Sequence, residues 1–147
     1  MLFILKKFTA EKGGAEFFDM ERERYNQLGA IILDSSITVH RELGPGLLES
    51  AYEIALAREI QLRGINFRRQ VVVEFLYKGA DLGKIYVMDL LVEDEIIIEI
   101  KSVDIYNPVF DAQLITYLKL AKKKLGYVIN FNVPLLKNGF KRIVYNF

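Results

Sequence analysis

The fold is decided by one short stretch of the sequence, Ile96-Ile97-Ile98-Glu99-Ile100-Lys101. A continuous apolar run predicts a central strand, because only a strand buried on both faces has apolar neighbours on either side. Strand side chains alternate between the two faces, so Glu99 and Lys101 share one face, opposite two of the isoleucines. The two charges are either an ion pair in water at a strand end or part of a buried site whose carboxylate needs a cation or a metal. The stretch alone favours the ion pair.

The preceding strand carries a second acid among apolar residues, in Met88-Asp89-Leu90-Leu91-Val92. If residues 93–95 form a three-residue loop, Asp89 lies directly opposite Glu99, and opposed residues share a face with their Cβ atoms about 4.5–5.5 Å apart. Carboxylates that close repel each other unless a cation lies between them. A two-residue turn would shift the register by one and turn Asp89 to the other face. The hypothesis of a joint acidic site therefore makes a definite demand on strand register.

Around these strands, residue periodicity predicts the order α, α, β, β, β, α, β, β. The predicted segments are two helices (about 21–43 and 47–63), three strands (67–77, 81–92 and 95–101), a helix (108–122) and two closing strands (127–131 and 143–147). Gly44-Pro45-Gly46 separates the first two helices, since glycine suits a left-handed cap and proline cannot continue a helix. Strands grouped before a crossover helix predict an α/β fold with a mixed central sheet and helices on its faces.

The first 20 residues show no clear period, so we expect an N-terminal extension followed by a single domain over residues 21–147. The extension is a docking strand, a flexible arm or the product of an early start codon. The apolar start is only five residues long, whereas a membrane helix needs about 20 apolar residues and a signal peptide also needs a longer apolar region. We therefore expect no membrane association and a cytoplasmic protein.

Composition limits the chemistry that the chain can carry out. The 147 residues include no Cys and one His, which excludes Cys-ligated zinc, iron–sulfur clusters, thiol nucleophiles and disulfides. What remains is chemistry by carboxylates, Lys, Ser, Thr and Tyr, and metals bound by oxygen. The 20 Lys and Arg against 19 Asp and Glu give a net charge of +1. This balance neither supports nor excludes a nucleic-acid partner, because a local basic patch is enough.

Further candidate residues lie on the helices. Glu49 is in the first turn of the second helix, where an acid also simply favours the helix dipole. Gln113 and Tyr117 are four residues apart and share a face of the third helix, as a polar stripe beside the core would. Basic residues that are candidates for phosphate contact, or that complement a dipole and keep the surface soluble, are Arg68, Arg69, Lys119, Lys122, Lys123 and Lys124.

Taken in order, these motifs resemble those of a known family. Gly46-x-x-Glu49-x-x-Tyr52 is the signature of the GxxExxY protein family, which the chain resembles nearly throughout from about Ile31 to Val144. The other matching motifs are Val39–Gly46, Asp89–Val92, Glu99–Lys101, Gln113–Leu118 and Asn130–Pro134. This family is assigned to the PD-(D/E)XK nuclease superfamily, and the series of motifs is similar to that of RecB-like nucleases. Met88 stands where the superfamily name places Pro, at a position that varies widely.

The resemblance implies a restriction-endonuclease-like core of αβββαβ order and metal-dependent hydrolysis of nucleic-acid phosphodiester bonds. It implies that Asp89 and Glu99 bind Mg²⁺ or Mn²⁺, with Glu49 completing the acidic site from its helix. Lys101 then orients the attacking water or stabilises charge on the phosphate.

The resemblance also assigns roles to residues around the acids. Gln113 and Tyr117 position Lys101, the bound water or the DNA backbone. His40 is a further candidate metal ligand, because some relatives use a His upstream of the helix acid. A His that caps carbonyl groups at a helix end is the alternative.

The expected partner is nucleic acid, with DNA expected before RNA, and a homodimer or a protein partner is compatible with so small a domain. One alternative is a non-catalytic nucleic-acid-binding or assembly module that retains the nuclease fold, since fold does not establish function. Another is a nuclease subunit that needs a partner, with residues 1–20 as its docking arm. The acids and Lys101 are all present, so the sequence shows no decay of the site.

Overall fold

The computed structural model describes residues 12–83 and 86–147. Its elements are α1 (Lys12–Leu43), α2 (Glu49–Leu62), β1 (Phe67–Val73), β2 (Leu76–Tyr77), β3 (Ala80–Asp81), β4 (Tyr86–Val92), β5 (Ile96–Lys101), α3 (Val109–Ala121), β6 (Leu125–Asn130), a 3-10 turn (Leu136–Gly139) and β7 (Phe140–Val144). The predicted order is confirmed with one addition, a short hairpin of β2 and β3 between β1 and β4. Lys78 and Gly79 form its turn with φ of 49° and 79°, the left-handed values that a two-residue hairpin turn requires.

Helix α1 begins earlier than the periodicity predicts, at Lys12 rather than near Glu21. Gly13 and Gly14 each destabilise a helix by roughly 1 kcal/mol relative to Ala. The helix-forming residues that follow them offset this cost, so α1 includes both glycines. Contacts divide the chain into two compact units, with the boundary between Ile32 and Leu33. Residues 1–11 of the predicted extension lie outside the described residues, so its role stays a prediction. Within residues 12–83 and 86–147, no helix combines the length and the apolar run needed to cross a bilayer.

The main sheet has five strands in the order β1-β4-β5-β6-β7. β5 and β6 run parallel with α3 as their crossover, and the other neighbours run antiparallel. This is the mixed sheet that the order of segments predicts. Between β4 and β5, Val92 pairs with Ile96 and Leu90 pairs with Ile98, so residues 93–95 form the three-residue loop. The register that the acidic-site hypothesis requires is therefore confirmed.

Strand β5 is the centre of the core. Four of its residues are at most 1% exposed, namely Ile96, Ile97, Ile98 and Ile100. Burying each such side chain contributes roughly 1.5–3 kcal/mol, and together they exceed the several kcal/mol that one buried carboxylate costs. The strand can therefore hold Glu99 inside the protein. Helix α3 packs on β5 and β6 so closely that a Cβ at Gly126 would lie 2.9 Å from Leu114 Cδ1 of α3.

Candidate active site

An acidic pair forms where the backbone ladder between β4 and β5 ends. Strand pairing stops at Leu90 and Ile98. At the next position, side-chain carboxylates replace backbone acceptors: the Asp89 N–H donates to Glu99 Oε1 at 3.2 Å, and the Ile100 N–H donates to Asp89 Oδ2 at 2.8 Å. Each strand thus holds the carboxylate of the other through a main-chain amide. The side chains of Asp89 and Glu99 face each other, as the sequence predicts.

The environment of this acidic pair strongly favours a bound proton or a cation. Glu99 is 6% exposed, and burial together with the neighbouring Asp89 raises the pKa of its carboxyl group to about 8. Burial also raises the pKa of Asp89, against the opposing effect of the hydrogen bond from Ile100. Lys101 lowers both pKa values, but it does not cancel the rise. Since the pKa of both carboxyl groups is raised, the protein compensates the negative charge of the pair only in part.

Strand β5 is tied to the loop that precedes α2. The Ser102 hydroxyl, directly after Lys101, donates to the Leu47 carbonyl oxygen at 2.6 Å. Glu49 follows as the first residue of α2, as predicted, and its negative charge contributes to the raised pKa of Asp89. The chain therefore brings the start of α2 to the side of the sheet where β5 ends.

Tyr52 of the signature motif has a structural role in this loop. Its hydroxyl donates to the Gly44 carbonyl oxygen at 2.5 Å and accepts the Leu47 N–H at 3.1 Å. Its ring is fully buried and stacks on Phe131, with 4.5 Å between the ring centroids. Gly46 has a φ of +96°, which a residue with a Cβ rarely adopts. The glycine and the tyrosine of the motif thus shape the loop that delivers Glu49.

Helix α3 supplies the residues on the other side of the acidic pair. The Lys101 ammonium lies over the Phe110 ring, 4.4 Å from its centroid, an arrangement that is favourable for a cation. Gln113 Nε2 donates to the Tyr117 hydroxyl at 2.8 Å, so the predicted pair on this helix is in contact. Burial, and next the negative charge of Glu99, raises the pKa of Tyr117. Phe110 was not predicted, because an aromatic residue in the first turn of an apolar helix gives no signal of its own.

A second acid on α2 lies closer to the site than the sequence indicates. Glu53 is 5% exposed and accepts hydrogen bonds from Arg69 at 2.7 and 3.0 Å and from Gln70 at 2.5 Å. It contributes more than Glu49 to the raised pKa of Asp89. Its spacing of four residues from Glu49, which places both on one helix face, was the available signal. Arg69, a candidate for phosphate contact, is instead paired with this acid.

The remaining predicted residues make contacts with other groups. Lys123 is 3.7 Å from Asp94 in the loop before β5, whereas Glu99 lies near the other end of that strand. Its neighbours Lys122 and Lys124 share this location, and Lys119 lies over the Tyr145 ring. The structure therefore places Lys122, Lys123 and Lys124 near the start of β5, and nucleic-acid contact by the cluster Lys119, Lys122, Lys123 and Lys124 stays a prediction. His40 Nε2 is 2.8 Å from the Val133 carbonyl oxygen, so this ring is engaged with a backbone group.

The donor set around Asp89 and Glu99 fits a hard divalent cation. All of its ligand atoms are carboxylate oxygens, and Mg²⁺ typically takes one or two carboxylates together with water and phosphate oxygens. A cation between the two acids would relieve the repulsion that raises the pKa of Glu99. In the described part of the chain, no three Asp, Glu or His side chains are grouped closely enough to hold a metal. The convergence of Glu49 with this pair stays a prediction.

A comparison with protein families gives one match. The model described as the PD-(D/E)XK nuclease superfamily matches residues 26–143, which include α2, α3, the acidic pair and all of the main sheet except the last residue of β7. The mixed sheet flanked by helices agrees with the restriction-endonuclease-like fold of that superfamily. No curated protein matches the chain.

Proposed function

The chain belongs to the PD-(D/E)XK nuclease superfamily, and we propose that it is an active, metal-dependent nuclease that hydrolyses phosphodiester bonds of DNA. The observation that carries the proposal is the reciprocal amide bonding that holds the half-buried Asp89 and the buried Glu99 together on strands β4 and β5. Its motifs support a finer proposal, that within the superfamily it is a RecB-like nuclease of the GxxExxY family.

Asp89 and Glu99 would hold the Mg²⁺ or Mn²⁺ ion, with Glu49 as the further acid from α2. Such an ion, when bound, activates water and neutralises negative charge on the phosphoryl group. Lys101 carries a positive charge on the same strand face as Glu99, where it attracts the phosphate and opposes charge that develops on it. The ring of Phe110 limits the positions of its ammonium.

Gln113 and Tyr117 act on the substrate side of the acidic pair. Gln113 donates to the Tyr117 hydroxyl, so the hydroxyl keeps its own proton for donation. The high pKa of Tyr117 keeps that proton in place at neutral pH. The hydroxyl therefore donates a hydrogen bond to a phosphate oxygen and stays neutral throughout.

The test is cleavage of plasmid and single-stranded DNA, with RNA of the same sequence for comparison, in Mg²⁺, Mn²⁺ or EDTA. Asp89→Asn and Lys101→Ala each remove several kcal/mol of transition-state stabilisation, so we expect losses of about 100-fold or more. Asp19→Asn and Arg58→Ala are matched controls, since both residues are exposed, and they should cleave like the wild type. Cleavage by either site variant at the wild-type rate, or cleavage that persists in EDTA, would contradict the proposal.

A second candidate function is a non-catalytic nucleic-acid-binding or assembly module that retains the nuclease fold. The observation that favours it is the lack, in residues 12–83 and 86–147, of a group of three metal-binding side chains. Calorimetry with Mn²⁺ separates the two functions. Binding that Asp89→Asn abolishes supports the nuclease, whereas no binding, or binding that Asp89→Asn leaves unchanged, supports the module. Size-exclusion chromatography with and without residues 1–20 tests whether the extension mediates a homodimer or a partner contact.

A further inference from the structure

Gln70 has an unusual backbone conformation for a residue inside a strand. Its φ is +50°, in the left-handed region that costs free energy for any residue with a Cβ. β1 pairs with β4 through Arg69 and through Val71, so Gln70 is the only one of the seven residues of β1 outside the ladder. By register it lies opposite Asp89. The ladder of β4 is therefore interrupted at Asp89 on both sides, by Gln70 from β1 and by Glu99 from β5.

The side chain of Gln70 connects two carboxylates. Its Nε2 donates to Glu53 Oε1 at 2.5 Å and lies 3.5 Å from Asp89 Oδ1. Glu53 is itself fixed, because Arg69 binds its other oxygen with two hydrogen bonds. The second oxygen of Asp89 accepts the N–H of Ile100. Asp89 thus has an N–H donor near each of its oxygens, one from β5 and one from β1.

The strained backbone indicates that the glutamine side chain is needed at this position. The other described residues with a positive φ lie in turns, in loops, at a helix end or near the chain end, and half of them are Gly: Gly44, Gly46, Gly64, Lys78, Gly79, Gly83, Glu93, Asp94, Lys122 and Asn146. Gly or Asn would adopt this conformation at less cost. Neither would carry an amide as far as Asp89 and Glu53.

We propose that Gln70 is a positioning residue that orients the carboxylate of Asp89 for the metal ion, with Glu53 and Arg69 holding its amide in place. The inference rests on the proposed function, since it concerns the same site. Hydrogen-bond partners of metal ligands fix the direction of the ligand lone pairs, and their loss typically lowers metal affinity by about 10–100-fold. Because the contact with Asp89 is long, we expect the lower end of that range.

The test uses the full chain and compares Gln70→Gly, Gln70→Asn and a matched control. Gln70→Gly removes the amide and relieves the backbone; Gln70→Asn keeps an amide, tolerates the left-handed conformation and is one methylene too short. Asn146→Gly is the control, because Asn146 also has a φ of 50° and is exposed. For each protein, calorimetry gives the Mn²⁺ dissociation constant and urea denaturation gives the folding stability.

We expect both Gln70 variants to bind Mn²⁺ about 10-fold more weakly and Gln70→Gly to be at least as stable as the wild type. The control should bind Mn²⁺ as the wild type does. Unchanged affinity in the Gln70 variants overturns the inference, and so does weaker binding that appears only together with a loss of stability, since that marks a structural role. A wild-type protein that binds no Mn²⁺ overturns the proposed function itself, and the inference with it. The two failures are therefore distinguishable.

Discussion

We expect the Glu99→Gln variant to be more stable than the metal-free wild type at pH 8 and about equally stable near pH 4.5. Gln has the same shape as Glu and keeps an oxygen to accept the Asp89 N–H. It removes a charge that burial and Asp89 oppose so strongly that the pKa of Glu99 rises to about 8. The other charged or titratable groups that face this carboxyl are Glu53, which adds to the rise, Lys101, which opposes it, and Tyr117 on α3.

The sign and size of the effect follow from this pKa. The folded protein binds the proton of Glu99 more tightly than the unfolded chain does, so the contribution to stability is fully present below pH 4.5 and is lost as the pH rises to 8. Each unit of pKa difference corresponds to about 1.4 kcal/mol. A rise from 4.5 to about 8 therefore removes up to about 5 kcal/mol from the wild type across this window. The variant has no such loss at this position.

The assay is urea denaturation in EDTA at pH 5, 6, 7 and 8, with the exposed Glu42→Gln as the control for loss of one carboxylate. The stability difference between Glu99→Gln and the wild type should grow with pH, while the control shows no such trend. Mn²⁺ at 100 times its dissociation constant should then stabilise the wild type by about 2.7 kcal/mol, and the variant less. A Glu99→Gln variant that is no more stable than the wild type at pH 8 would refute the reasoning, because it would show that the buried charge of Glu99 does not destabilise the folded protein.

Three further predictions concern the scaffold, each measured by urea denaturation. Tyr52→Phe removes a buried hydroxyl that makes two hydrogen bonds, and we expect a loss of about 1–3 kcal/mol; an unchanged midpoint would contradict it. Gly126→Ala places a methyl group 2.9 Å from Leu114 Cδ1 of α3 and from the Ile97 carbonyl oxygen of β5, and such overpacking costs about 1–3 kcal/mol, so a neutral result would mean that both neighbours can move away. Arg69→Ala leaves the buried Glu53 without its cation. Because the arginine is partly exposed, we expect the free energy of unfolding to fall by about 2 kcal/mol. If Arg69→Ala costs as much in a Glu53→Gln background, the loss has another cause.

The acidic pair could be predicted from sequence because its determinants are local. An apolar run identifies β5, and the length of the loop at residues 93–95 fixes the register of Asp89 against Glu99. The contact between Gln113 and Tyr117 follows from helix geometry alone. None of these inferences depends on how distant elements pack.

The cluster of Glu53, Arg69 and Gln70 could not be predicted in the same way. It joins α2 to β1 across the fold and depends on a left-handed residue inside a strand, for which glutamine gives no sequence signal. The charged pair Arg68-Arg69 indicated a basic strand end, whereas the structure uses Arg68 to contact Asp94 and Arg69 to neutralise Glu53. Pairing between charges that are distant in the sequence depends on tertiary packing, which cannot be predicted from the periodicity of apolar residues.

The position of the lysine cluster is a consequence of topology and limits where substrate can be held. A crossover helix between parallel strands must return the chain to the end of the sheet where the first strand begins. The residues at the end of α3, Lys122 to Lys124, therefore lie beside the start of β5, and Lys101 lies at the opposite end of that strand. The end of the sheet where Lys101 lies also has a cavity of about 320 Å³, whose lining includes Tyr106, Asn130 and Lys141. Asn130 is the strand partner of Lys101. In sheets with parallel strands, ligands bind beyond the carboxyl ends of those strands. We therefore expect a nucleic acid that reaches Asp89 and Glu99 to contact the loops after β5 and β6, and the basic charge that holds it to come from that end of the sheet.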